Sequence, residues 1–279
     1  VADELPDDFI ADIRAAMEQE KPDSILLGEV WEDGSNKIAY SRRRRYLLGS
    51  ETHGLMNYPF RTAALGWLTG GDAADFRETM ETIRENYPPA AFYGAMNFLG
   101  THDTPRILTL LGARETPPTQ AERAAYRLSP EELTMGLARL RLGAMLLFTF
   151  PGSPTVYYGD EAGMQGFEDP LNRATYPWGC EDTALLALYR RLGQLRRGRT
   201  SLQSGSIAYL AAEGSVLAIL RQSGAERTLT ALNAGDIPAE LALPWADTVA
   251  RSALDGQEFF VPDGVLRLTL PPVSGMILI

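Results

Sequence analysis

Two carboxylates and a histidine stand out by where they fall. Glu29 follows the apolar run Ile25-Leu26-Leu27-Gly28, and His102-Asp103 follow Met96-Asn97-Phe98-Leu99. Each sits where a short buried strand would meet solvent. An acid and a carboxylate at neighbouring strand ends suit acid/base work on a polar substrate, and a nearby imidazole suits a hydrogen bond to it. Trp31 lies beside Glu29, Asn57 and Tyr58 lie in the run 54–60, and Tyr157, Asp160 and Glu161 follow Pro154. Trp and Tyr faces suit the apolar C–H faces of sugar rings. Pattern alone leaves a second reading open, because an acid at a strand end also serves as a solvated residue or a helix cap.

These groups need a scaffold that brings strand ends together. The chain has 279 residues, 45% hydrophobic and 22% charged, which fits one large or two smaller folded domains. Its net charge of −10 argues against nucleic acid and anionic membrane as partners. No apolar run approaches the ~20 residues of a transmembrane helix. Cys180 is the single cysteine, so no disulfide framework forms within the chain.

Short apolar runs alternate with amphipathic helical patterns over residues 1–199, which points to an α/β fold with a parallel sheet. Strands are expected at 24–31, 54–60, 95–103 and 154–161. Helices are expected at 7–19, with Phe9, Ile13, Ala16 and Met17 on one face, from the N-cap Asp72, and over 182–197. Ser129 and Glu132 form a capping box around Pro130, which opens a long helix. In such folds the C-terminal strand ends face the active site. Residues 200–279 read instead as short β segments separated by Gly, Asp and Pro, hence an antiparallel β-sandwich.

Taken in order and spacing, LLGEVWED, MNYPF, NFLGTHDTPR and FPGSPTVYYGDEAGMQGFEDPLNRATYPW resemble the motifs of the α-amylase superfamily (glycoside hydrolase family 13), in its neopullulanase and cyclomaltodextrinase branch. The likeness spans residues 1–178, and PPVSGMILI resembles the end of that family's β domain. The resemblance implies a retaining α-glucan hydrolase acting on α-1,4 or α-1,6 bonds of starch-derived oligosaccharides, without a cofactor. It implies that Glu29 is the general acid/base and Asp103 the carboxylate that stabilises the transition state. His102 would hydrogen-bond the sugar, Trp31 would line the leaving-group side, and Asn57 and Tyr58 the cleft wall. Asp169 and Arg173 would hold a sugar further along. The general acid needs a raised pKa, supplied by burial and a neighbouring carboxylate. By analogy with cyclomaltodextrinases the location would be cytoplasmic, with secretion left open.

The family's nucleophile is an Asp that normally sits in a segment like RLDVADE, and this chain begins VADE. The resemblance therefore puts the nucleophile immediately before Val1. It makes residues 1–199 the second half of a TIM (β/α)8 barrel, strands five to eight, without the inserted small domain or any calcium site that domain carries. Asp3 and Glu4 are expected to enter the following helix rather than replace the nucleophile, so residues 1–279 alone are expected to be inactive. The open barrel edges are expected to be covered by a second copy in a homo-oligomer, by rearranged N-terminal residues, by the missing N-terminal half or by lattice neighbours. The rival readings are a carbohydrate-binding piece without turnover and a partner that completes a barrel.

Other residues carry less. The arginines of SRRRRYLLG are expected to pair with local acids, and His53 to cap a loop. Two His and one Cys cannot build a zinc site, so no metal is expected. YYGDE is expected to shape the cleft floor. Trp67 and Trp178 fit core or cleft equally.

Overall fold

The computed structural model describes residues 2–279. A 3-10 turn (Ala2–Glu4) keeps Asp3 and Glu4 outside the helix that follows, against expectation, because Pro6 stands at the N-cap of that helix; then come α1 (Asp7–Glu20), β1 (Leu27–Gly28), a hairpin of β2 (Ile38–Ala39) and β3 (Arg42–Arg43), and β4 (Gly54–Leu55). Then come α2 (Tyr58–Leu68), α3 (Ala73–Asn86), α4 (Pro89–Gly94) and β5 (Met96–Asn97). Helices α5 (Ile107–Gly112), α6 (Gln120–Ala125) and α7 (Pro130–Thr149) lead to β6 (Ser153–Pro154), and α8 (Thr183–Gly198) and α9 (Thr200–Ser204) follow.

Strand β1 pairs in parallel with β4, and β5 with β6. A parallel bridge from Met56 to Met96 joins the two pairs. The four strands therefore form one parallel arc in chain order, with their C-terminal ends on one side. Each strand is far shorter than the apolar run that announces it. The run 54–60 is strand only over Gly54–Leu55; Tyr58 begins α2, because Asn57 caps its N-terminus and Pro59 fits the first turn. Asn57 and Tyr58 are thus the start of a helix, not part of a strand. Between β1 and β4 the chain forms a hairpin rather than a crossover helix. In α1 the buried residue is Ile10, while Phe9 is 52% exposed, since the helix turns its Ile10 and Ile13 side toward Leu26 and Leu27.

The helix signals around the arc hold closely. Asp72 caps α3, which buries Phe76, Met80 and Ile83. Ser129 and Glu132 make the reciprocal capping box of α7, and Asp182 caps α8. His53 acts as a backbone cap: Leu26 N–H donates to its Nδ1 at 3.0 Å. Arg44 pairs with Asp7, and Arg45 lies against Asp8 and Glu51, so two of the four consecutive arginines meet local acids.

The remaining chain is β7 (Ser206–Glu213), β8 (Val216–Ser223), β9 (Glu226–Asn233), β10 (Ala239–Pro244), β11 (Val249–Arg251), β12 (Glu258–Phe260), β13 (Val265–Leu270) and β14 (Ser274–Leu278). An antiparallel sheet runs in the order β14-β9-β8-β7, and β10 pairs with β13 beside it. Side chains alternate across the main sheet with period two. Leu217, Ile219, Leu232 and Ile277 join the helices' core, whereas Ala218, Leu229, Ala231 and Leu278 pack with Leu243, Leu266 and Leu268. The sheet is therefore buried on both faces, which binds it to the helical part.

Arg221 strengthens that junction. It is fully buried and donates to the carbonyls of Thr149, Gly205 and Ser206 at 2.7, 2.9 and 3.2 Å. Burial pulls its pKa down to about 10, which leaves it charged at neutral pH. Replacing it with Met strands three carbonyls without a donor. We expect Arg221→Met to lower unfolding free energy by about 3 kcal/mol or more in urea denaturation.

Candidate active site

Glu29 lies one residue past β1, where the parallel arc opens to solvent. Its Oε1 accepts from Trp31 Nε1 at 3.2 Å and from the Tyr58 hydroxyl at 3.3 Å. The Trp31 ring stacks on Tyr58 with centroids 4.3 Å apart and planes 13° from parallel, and Tyr58 meets the edge of Phe98 at 4.8 Å. Tyr58 is fixed from below by α2, while Trp31 stays half exposed as an aromatic shelf. Burial pushes the Glu29 carboxyl up, and the hydrogen bonds from Trp31 and Tyr58 pull against that rise.

Asp103 lies past the end of β5 and is tied by basic side chains. His102 Nε2 approaches its Oδ2 at 3.3 Å, and Arg173 its Oδ1 at 3.5 Å. Arg173 also pairs with Asp169 at 3.0 Å and donates to the His102 carbonyl at 3.2 Å. Asp103, His102, Asp169 and Arg173 thus form one exposed cluster. Tyr58 stands between this cluster and Glu29. Its phenol is pushed up to about 12 by burial first, and the charges of both Glu29 and Asp103 add to the rise. Of the eight residues expected in the site, seven share this face. The eighth, Asn57, turns inward: its Oδ1 accepts from Phe60 N–H at 3.0 Å and its Nδ2 donates to Asn97 at 2.8 Å.

The floor involves residues whose roles the sequence did not announce. Asn172 is buried and donates to the carbonyls of His102 and Thr104 at 2.7 and 2.8 Å, holding the Asp103 loop from behind. Arg106 is fully buried, 3.3 Å from Asp160, with its guanidinium over the rings of Tyr157 and Tyr158 at 4.3 and 4.5 Å. Asp160 presses against the backbone at Gly100, where a Cβ would lie 2.4 Å from its Oδ2. YYGDE therefore supports the loop that carries Asp103. A buried Arg–Asp pair between distant segments leaves no periodic signal in a sequence. Asn172 sits inside EDPLNR, and that short motif is the single cue it gave. Among the described residues no group of three or more His, Cys, Asp or Glu could hold a metal ion.

Known proteins resemble this chain. The model of the α-amylase catalytic domain matches residues 4–185. The chain belongs to the α-amylase family. A second model, the C-terminal domain of maltogenic amylase, matches residues 208–277. The amylopullulanase of Thermoanaerobacter thermohydrosulfuricus is 33% identical over the whole chain, which spans 20% of that protein. Neopullulanase 2 of Thermoactinomyces vulgaris is 29% identical, again over the whole chain, which spans 44% of it. A solved cyclomaltodextrinase superposes on all of the chain with a TM-score of 0.81 and 26% identity, over 44% of its own length. The chain thus spans less than half of each of these relatives. Family members of this kind are glycoside hydrolases, and the α-amylase fold they share joins a β/α barrel to a C-terminal β domain.

The Asp160–Arg106 pair generates a pH prediction. Burial pushes the Asp160 carboxyl up to about 7 against the pull of Arg106. Its value in the unfolded chain is the ordinary 3.8. Between these two values the folded state binds more protons than the unfolded one, so stability falls as pH rises through that window. Urea denaturation across the window is expected to show this decline in the wild type. In Asp160→Asn the decline flattens, which isolates the contribution of this carboxyl.

Proposed function

We propose that residues 1–279 supply the general acid/base, Glu29, and the stabilising carboxylate, Asp103, of a retaining α-glucan hydrolase that cleaves α-1,4 or α-1,6 bonds of starch-derived oligosaccharides. The observation that carries this reading is the shared strand-end face: Glu29 and Asp103 flank Tyr58, whose hydroxyl bonds one and whose acidity feels both. Trp31 offers a ring face for a sugar beside the acid, and Arg173 offers donors to hydroxyls beside Asp103. On this reading residues 1–199 are strands five to eight of a (β/α)8 barrel and residues 200–279 its β domain. The exposed Ile25 and Leu27 then belong to an edge covered by an N-terminal half-barrel or a second copy.

Retention needs a nucleophile about 5 Å from the acid. The acids near the chain start do not fill that role. Asp3 accepts from the Tyr46 hydroxyl at 2.6 Å and pairs with Lys37 at 3.1 Å, so both its oxygens are engaged away from Glu29. A nucleophile directly before Val1 fits the geometry, because Ala2 N–H donates to the Glu29 carbonyl at 3.1 Å. An added carboxylate there would also raise the Glu29 pKa and make it a usable acid. Residues 1–279 alone then bind glucan without cleaving it. The second reading, a carbohydrate-binding piece with no turnover, gives the same outcome for residues 1–279.

Product chromatography after long incubation with maltoheptaose, cyclodextrin and pullulan tests this. The 279-residue chain is expected to give no products. A longer form carrying an Asp before Val1 is expected to cleave, and Glu29→Gln in that form to lower kcat by about 10²–10⁴-fold. Products from the short chain that disappear with Glu29→Gln would overturn the missing-nucleophile reading.

A further inference from the structure

Trp178 is 82% exposed, more than any other large apolar side chain among the described residues. Its backbone is nonetheless fixed. The Tyr158 hydroxyl donates to the Ala174 carbonyl at 2.8 Å, Cys180 N–H closes a turn on Pro177 at 2.8 Å, and Asp182 N–H bonds Ala162 at 3.0 Å. Gly179, at φ 78°, lets the chain reverse directly behind the ring. The Tyr176 ring backs Trp178 with centroids 4.5 Å apart. An anchored loop that holds an indole out into water presents a fixed aromatic face with a polar edge.

We propose that Trp178, backed by Tyr176, is a second α-glucan-binding platform, outside the cleft at Glu29 and Asp103. The inference rests on the α-glucan reading above and names a further site for the same ligand. Charge selects the ligand class. The Tyr176 hydroxyl is pushed up by burial and then by the negative charges of Glu161 and Glu181, so carboxylates rim the platform. They repel anions such as nucleic acid, and they accept hydrogen bonds from neutral hydroxyls. The neighbours Thr175, Gly179 and Cys180 are exposed and small or polar. A glucose unit presents what the platform lacks, an apolar C–H face with hydroxyls at its rim.

Continuity with the cleft adds to this. Trp178 lies five residues after Arg173, which contacts Asp103. Chain reach limits the separation of the two Cα atoms to about 17 Å. One oligosaccharide can therefore engage both, and the second contact is then made at high effective concentration.

Affinity electrophoresis of the 279-residue chain in native gels with soluble starch tests the platform. Trp178→Ala is expected to weaken the apparent affinity about tenfold, Trp178→Phe to keep most of it, and the melting temperature of both to stay at the wild-type value. Equal retardation of wild type and Trp178→Ala overturns the platform and leaves the α-glucan reading intact, because the cleft still binds. Retardation by a β-glucan but not by starch, lost in Trp178→Ala, overturns the α-glucan assignment of both sites. Absence of any retardation of the wild type overturns the platform, while the cleft reading is still decided by product chromatography of the longer form.

Discussion

A chain of buried amide hydrogen bonds ties three strand ends together. Asn57 donates to Asn97 at 2.8 Å, and Asn97 donates to the Pro151 carbonyl at 2.7 Å. The strands of the arc pair over two residues each, so their ladders alone give few bonds to set their alignment. The two asparagines add alignment where it matters, directly under the loops that carry the chemistry. Buried polar groups of this kind are costly unless every one is matched, and that cost is what makes the arrangement specific. Gly152 completes the contact: a Cβ there would lie 2.5 Å from Asn97 Nδ2.

From that base the site divides by environment. Glu29 receives hydrogen bonds from Trp31 and Tyr58 at the rim, and such donors favour its anion. Asp160 sits in the floor, where burial favours its protonated form even with Arg106 beside it. Donors at the rim and burial in the floor thus act on these two carboxylates in opposite senses. Asp103 is exposed and meets the side chains of His102 and Arg173. A cluster of basic side chains around one carboxylate thus stands beside an aromatic shelf around another.

The β region contributes rigidity to this. Its main sheet has no solvent face: one side meets the helices and the other meets β10 and β13. Arg196 repeats at α8 what Arg221 does from β8, donating to the carbonyls of Phe148, Phe150 and Gly152. Both guanidiniums fix the chain that enters β6. The β region is therefore coupled, through α7 and the loop before β6, to the floor beneath Asp103.

The sequence by itself determined the four longest helices and the family. Helix N-termini are written locally, in Asp72, Ser129-Pro130-Glu132 and Asp182, because a cap needs partners only a few residues away. Motif order was enough to bring seven of the eight expected site residues to one face. Strand extents were not legible, because apolar runs mark burial and not pairing, so 54–60 read as strand although Asn57 starts a helix. Only the tertiary structure turned Asn57 inward, joined Arg106 to Asp160 across the fold, and separated the core Trp67 from the exposed Trp178. Those outcomes depend on which distant groups arrive beside a residue, and on how much water they leave there. No local pattern carries that information.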